Sequence, residues 1–286
     1  IDPAEQVATA KGPVAAADLF VPPSLLKREK NRLYALAVER LAQARSAAAQ
    51  SVLEAPVRVA ARPPLGFTPP PRARLVFPDL TVPTGVPFAT PRKLRENAPL
   101  PDHGGCAWLP LAPLVHDPVE YEALVRDRVA RELAAGRRLW VGLAGLHHVA
   151  LARRLAADHA AADPTAERLR FFADVHLYVA NRFAAAAVAD LEPRIGFAYA
   201  YLEAGEEDTA ALFQAAAGLG LPLVPVGDGF EPPLFLSAAC QLKHHAAKGE
   251  CPRNCSRKWT AVMTDRGRRY RVVVDDCITA TYRLGA

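Results

Sequence analysis

The stretch RLWVGLAGLHHVALARRLAADH, residues 138–159, decides the fold class. Arg138–Leu143 is a short apolar run of strand length, and Gly142 and Gly145 punctuate its end. Leu146–His159 then repeats apolar residues at helical spacing. The same alternation continues on both sides. Ala107–Leu111 reads as a strand, and Pro118–Ala135 as a helix opened by Asp117 at its cap and closed by Gly136. Downstream come a strand-like Leu169–Tyr178, an Ala-rich helix Arg182–Leu191, a strand Arg194–Tyr199, a helix Glu206–Ala217 and a strand Leu221–Val226. Strands alternating with helices predict βα units on a parallel sheet. These units are fewer than a complete eight-fold barrel needs, so the residues alone predict an α/β fold on a parallel sheet, open or closed.

On the N-terminal side, residues 1–55 read as a lead-in and one long helix, with Ser24 as its cap after Pro22-Pro23. Residues 56–105 read as a proline-rich linker or irregular segment, because eleven of the 26 prolines fall between 56 and 100. Residues 106–239 form the βα-repeat portion. Residues 240–286 read differently: Trp259–Met263 and Tyr270–Val274 flank Asp265-Arg266-Gly267, a hairpin signal.

The 286 residues carry a net charge of +5, unevenly placed. From Cys240 onward ten Lys/Arg oppose four Asp/Glu, a net +6, which leaves −1 for the first 239 residues. Such a basic module predicts an anionic partner such as nucleic acid, or else a solvated basic face. With 51% apolar and 23% charged residues, global disorder is excluded. No uncharged apolar run is long enough for a membrane-spanning helix. The start has no signal-peptide pattern, so the expected location is cytoplasmic. The chain begins at Ile1 and its only methionine is Met263, which predicts a portion of a longer product.

The basic module also holds four of the five cysteines, Cys240, Cys251, Cys255 and Cys277, spaced C-x10-C-x3-C-x21-C. Four thiols within 38 residues are enough for one centre. Structural zinc and an iron–sulfur cluster both take four thiolates, although zinc sites usually use knuckles with two residues between ligands. Disulfides would need an oxidising compartment. The spacing alone leaves these readings open. His244 and His245, between the first two cysteines, could replace one ligand but read first as exposed helix residues, and Cys106, beside His103 and in the same chain as His116, reads as a buried thiol rather than a nucleophile. No G-x-S-x-G, H-E-x-x-H or P-loop motif is present.

Four pieces in order then carry a resemblance. Pro233-Leu234-Phe235-Leu236-Ser237-Ala238-Ala239-Cys240 precedes Cys251-Pro252-Arg253-Asn254-Cys255, then Thr264-Asp265-Arg266-Gly267-Arg268-Arg269-Tyr270, then Asp275-Asp276-Cys277. This order resembles the C-terminal signature of peptidase family U32, the collagenase-like protease family. Upstream, Asp174-Val175-His176-Leu177-Tyr178-Val179-Ala180-Asn181 is similar to the family's "D-x-x-L-N-x-x-N" segment, with Tyr178 in place of an Asn. Trp140–Gly145 is similar to its "G-N-x-G" turn, with Leu143 in place of the Asn, and Leu19–Leu26 to its "F-I-P-x-S-x-L-N" helix entry. The family's barrel opening, "L-L-A-P-A-G", is absent.

The resemblance makes the expected fold a partial or distorted TIM-like (β/α) barrel with a C-terminal four-cysteine β-hairpin module, and it implies a [4Fe–4S] cluster on Cys240, Cys251, Cys255 and Cys277; zinc stays the alternative that the spacing leaves open. It implies catalytic positions at Asp174, Asn181 and Glu203. It also implies an N-terminal barrel half, supplied by a partner chain or a removed portion. Studied bacterial members are oxygen-independent hydroxylases that use prephenate as oxygen donor, so the expected activity is hydroxylation of an RNA pyrimidine. The alternatives are the peptidase of the family's older label and a non-catalytic subunit with a structural metal site.

Overall fold

The computed structural model describes residues 23–54, 69, 88–161, 167–200, 206–226, 233–239 and 258–284. The chain divides into two compact units, residues 1–56 and 57–286. In the first, one helix, α1 (Pro23–Glu54), runs for 32 residues. It starts at Pro23, where a missing N–H costs nothing, so Ser24 lies inside the first turn rather than capping it. Its large apolar residues Leu26, Leu33, Tyr34, Val38 and Leu41 are all exposed.

The second unit contains, in chain order, α2 (Pro91–Arg95), β1 (Asp102–His103), β2 (Cys106–Pro110), α3 (Pro118–Ala134), β3 (Arg138–Leu143), α4 (His147–His159) and β4 (Leu169–Ala173). A 3-10 turn follows at Val175–Leu177, then α5 (Arg182–Ala189), β5 (Ile195–Tyr199), α6 (Glu206–Gly218) and β6 (Leu223–Val224). The last strands are β7 (Phe235–Ser237), β8 (Lys258–Asp265), β9 (Arg268–Asp275) and β10 (Ile278–Arg283).

Strands β1 to β6 form one sheet in sequential order, with β1 antiparallel to β2 and β2 through β6 all parallel. Sequential parallel order is that of part of a (β/α) barrel, so the sheet is a curled half-barrel. A second, antiparallel sheet has the order β7-β10-β9-β8.

Alternation along the parallel strands separates two faces. Leu109, Val141, Phe171 and Ala198 pack with Val125 and Val129 of α3, Leu151 and Leu155 of α4, and Val188 of α5. The other face carries Trp108, Trp140, Phe172, Phe197 and Tyr199, all buried. Trp108 stacks on Trp140 with centroids 5.6 Å apart, and Phe172 on Phe197 at 5.1 Å. Gly142 makes room for this cluster, because a Cβ there would lie 2.3 Å from the Phe172 ring.

Two readings of the sequence change. The apolar run from Leu169 does not extend as strand to Tyr178; it ends at Ala173, where the Asp174 carboxylate accepts from Val175 N–H and starts the 3-10 turn. The described end of the proline-rich segment, residues 88–105, is not linker. Thr90 caps α2, Pro91 takes its first turn, and Phe88, Ala89 and Leu94 join the core. Ala89 also forms a parallel bridge to Leu111.

Candidate functional site

The β9–β10 connection is a two-residue hairpin, with Asp275 opposite Ile278. Its central residues, Asp276 and Cys277, have φ of 51° and 64°, the left-handed pair of a type I′ turn. Asp-Gly or Asn-Gly is the usual choice there, because a Cβ resists left-handed backbone. Cys277 stands where glycine is expected.

This turn is held from a distant part of the chain. Arg92 grips Asp275 with both arms, Nε to Oδ1 at 2.9 Å and Nη2 to Oδ2 at 2.8 Å. Thr90 Oγ1 donates to Asp275 Oδ1 at 3.0 Å while accepting the capping bond from Lys93 N–H. Arg95 reaches Asp276 Oδ2 at 3.1 Å with one arm and Glu120 of α3 at 2.9 Å with another. The bonds to Asp275 outweigh partial burial and hold the Arg92 guanidinium above the ordinary arginine range. Asp275 and Asp276 are both buried, and unpaired carboxylates there would be strongly destabilising. His116, on the loop after β2, lies 3.3 Å from the Cys277 carbonyl, which only accepts, so Nε2–H donates.

Of the four cysteines, Cys240, Cys251 and Cys255 lie outside the described residues, so the four-cysteine hairpin itself is not described. The strands that lead to and from them are described. Ser237 of β7 pairs with Thr279, and Thr279 Oγ1 donates to the carbonyl of Ala239, the residue before Cys240. Lys258, which opens β8 three residues after Cys255, pairs with Asp275. Ala239 and Lys258 therefore both lie at the end of the sheet that carries Cys277. Among the described residues, no group of three His, Cys, Asp or Glu side chains is arranged to hold a metal.

The predicted positions Asp174 and Asn181 fall on the loop edge of the parallel sheet, and both make capping bonds. Buried Asp174 accepts from Val175 N–H at 2.9 Å. Exposed Asn181 accepts from Phe183 and Ala184 N–H at 3.0 and 2.9 Å, opening α5. Tyr178, in place of the family's Asn, sits left-handed at φ 54° between them. Glu203 lies outside the described residues.

The same edge carries two histidines that the sequence reading treated as helix residues only. His148 is buried, and its Nδ1 accepts from Ala144 N–H at 3.1 Å, which leaves the neutral ring's proton on Nε2. Burial, reinforced by His147 and opposed by Asp174, pushes its pKa down to about 3. His147 is exposed, with its ring 4.0 Å from that of His148 and lying over Gly145, where a Cβ would meet it at 2.6 Å. The available signal was a Gly-x-x-Gly turn at a strand end followed by paired histidines, with no Ser, Thr, Asp or Asn to cap the helix. At that pKa the ring stays neutral at ordinary pH and can donate a hydrogen bond from Nε2, but it is a weak proton acceptor.

Cys106 lies elsewhere. It pairs with His103 across a Gly104-Gly105 turn at the start of β2, the edge opposite the βα loops, and packs on the aromatic cluster. No family model, curated protein or solved structure matches this chain. Among the described residues, no helix is long and apolar enough to cross a membrane.

Proposed function

We propose that the chain is the iron–sulfur portion of a U32-type hydroxylase, with Cys240, Cys251, Cys255 and Cys277 holding a [4Fe–4S] cluster. One observation carries this reading: both ends of the segment bearing three of those cysteines flank the Cys277 turn. Lys258, three residues after Cys255 in sequence, pairs with Asp275 beside that turn. A left-handed cysteine supports the reading as well, since unfavourable backbone is retained where the side chain has a task. His116 brings this turn to the loop that follows β2, on the edge where barrel active sites form.

When bound, the cluster would supply electron transfer, since four thiolates close its iron sites. The chain's own residues have other tasks: Arg92 and Arg95 neutralise the carboxylates beside Cys277, and His148 holds a proton on Nε2 near Asp174. The substrate class proposed is an RNA pyrimidine, with prephenate as oxygen donor. Its support is the exposed Arg266, Arg268 and Arg269 of the β8–β9 hairpin, which are suited to phosphate contacts. Among the described residues the parallel strands number five, fewer than a closed barrel needs, which supports a partner half.

A second reading has its own observation. Asp174 and Asn181 are engaged in capping, which favours a non-catalytic subunit whose metal is structural, zinc included. Nothing specific favours the peptidase. Anaerobic purification with iron, sulfide and zinc analysis and a visible spectrum tests the cluster. Iron with broad visible absorption is expected, and a colourless zinc protein would move the conclusion to the second reading. Loss of one RNA hydroxylation on deleting the gene tests the activity.

A further inference from the structure

We propose that Arg92 and Arg95 are positioning residues for Cys277: by clamping Asp275 and Asp276 they hold the left-handed turn that presents its thiol to a metal. This rests on the metal reading above and adds to it the device that fixes one ligand.

A two-residue hairpin needs no buried carboxylates and no cysteine. Asp-Gly would close it with less strain. Here two consecutive acids are buried in front of a non-glycine residue, and their partners come from α2, more than 180 residues away in sequence. The contact with Asp275 is a two-pronged fork, which fixes direction as well as charge. Thr90 adds a third bond to the same carboxylate, and His116 holds the carbonyl of Cys277 itself. Arg95 ties the second carboxylate to Glu120 in the first turn of α3. The turn is thus fixed by α2, by the start of α3 and by the loop between β2 and α3. Outer groups that orient a metal ligand typically affect metal affinity about 10- to 100-fold.

The test uses the full chain, loaded anaerobically with iron and sulfide and, in parallel, with zinc alone. Wild type, R92Q, R92K and R95Q are compared for metal release to a chelator. Alkylation of Cys277 in the metal-free protein is read by peptide mass spectrometry. Circular dichroism shows which variants are folded. The expected result is release about 10-fold faster in R92Q. R92K should resemble R92Q, because lysine lacks the fork. R95Q should show a smaller change of the same sign, and Cys277 alkylation should change in all three. R95Q removes only a half-exposed guanidinium, so it decides the matter if R92Q does not fold. Folded variants with wild-type release and alkylation would overturn the positioning role while leaving the metal site standing. A wild-type chain that takes up neither metal would overturn the metal reading itself.

Discussion

Two turns of the C-terminal sheet share one backbone and differ in nearly everything else. Arg266-Gly267 joins β8 to β9 with φ of 47° and 77°; Asp276-Cys277 joins β9 to β10 with φ of 51° and 64°. The first has glycine in the second position, and its flanking arginines are exposed. The second has a cysteine there and is held by Arg92, Arg95, Thr90 and His116. The first turn is explained by hairpin closure alone. The second carries buried charge and left-handed strain that closure does not need, which points to a task for the cysteine side chain.

The largest effect that separates them is expected from their arginines. R92A leaves the Asp275 carboxylate buried without its main partner and should lower unfolding stability by about 3 kcal/mol or more in urea titration. R269A at the other turn should change it by less than about 0.5 kcal/mol. Equal effects would break the comparison.

Acid sharpens it from another part of the same unit. In the unfolded chain His148 takes up a proton near its ordinary 6.5, whereas in the fold it does so only near about 3. The unfolded state holds more protons between those values, so stability is full above 6.5 and falls as pH drops through that window. The slope should be at most about 1.4 kcal/mol per pH unit. H148Q should flatten it, and an unchanged slope would remove His148 as its source.

Smaller again is the backbone term. C277G should stabilise the metal-free protein by about 1 kcal/mol, and G267A should destabilise it by about as much. Opposite signs at matched positions would isolate the strain from the packing. R95Q, whose glutamine amide can still donate to buried Asp276, should cost about 1 kcal/mol.

The same contrast explains what was legible in the sequence. The β8–β9 hairpin could be read because Gly267 marks its turn; the β9–β10 hairpin and the strand Ile278–Arg283 could not, because cysteine replaces that mark. Arg138–Leu143 and the helix from Pro118 emerged with nearly correct bounds, since local capping by Asp117 and the left-handed Gly136 agree with tertiary packing. Leu169–Tyr178 was read too long because apolar composition continues past the point where Asp174 turns the chain. Residues 88–105 read as part of a linker or irregular segment because proline density hides the single proline that starts α2. At the candidate site, the cysteine spacing was visible. The Arg92–Asp275 clamp and the His148–Ala144 bond were not, because long-range pairing and burial leave no local pattern.

The central claim is that Cys277 keeps its strained place in order to hold an iron–sulfur cluster. Iron and sulfide per chain, measured after anaerobic purification of wild type and C277G, test it most directly. The account predicts about four irons per wild-type chain. It predicts a marked loss in a C277G protein that remains folded. Equal iron in both proteins, or none in either, would contradict it.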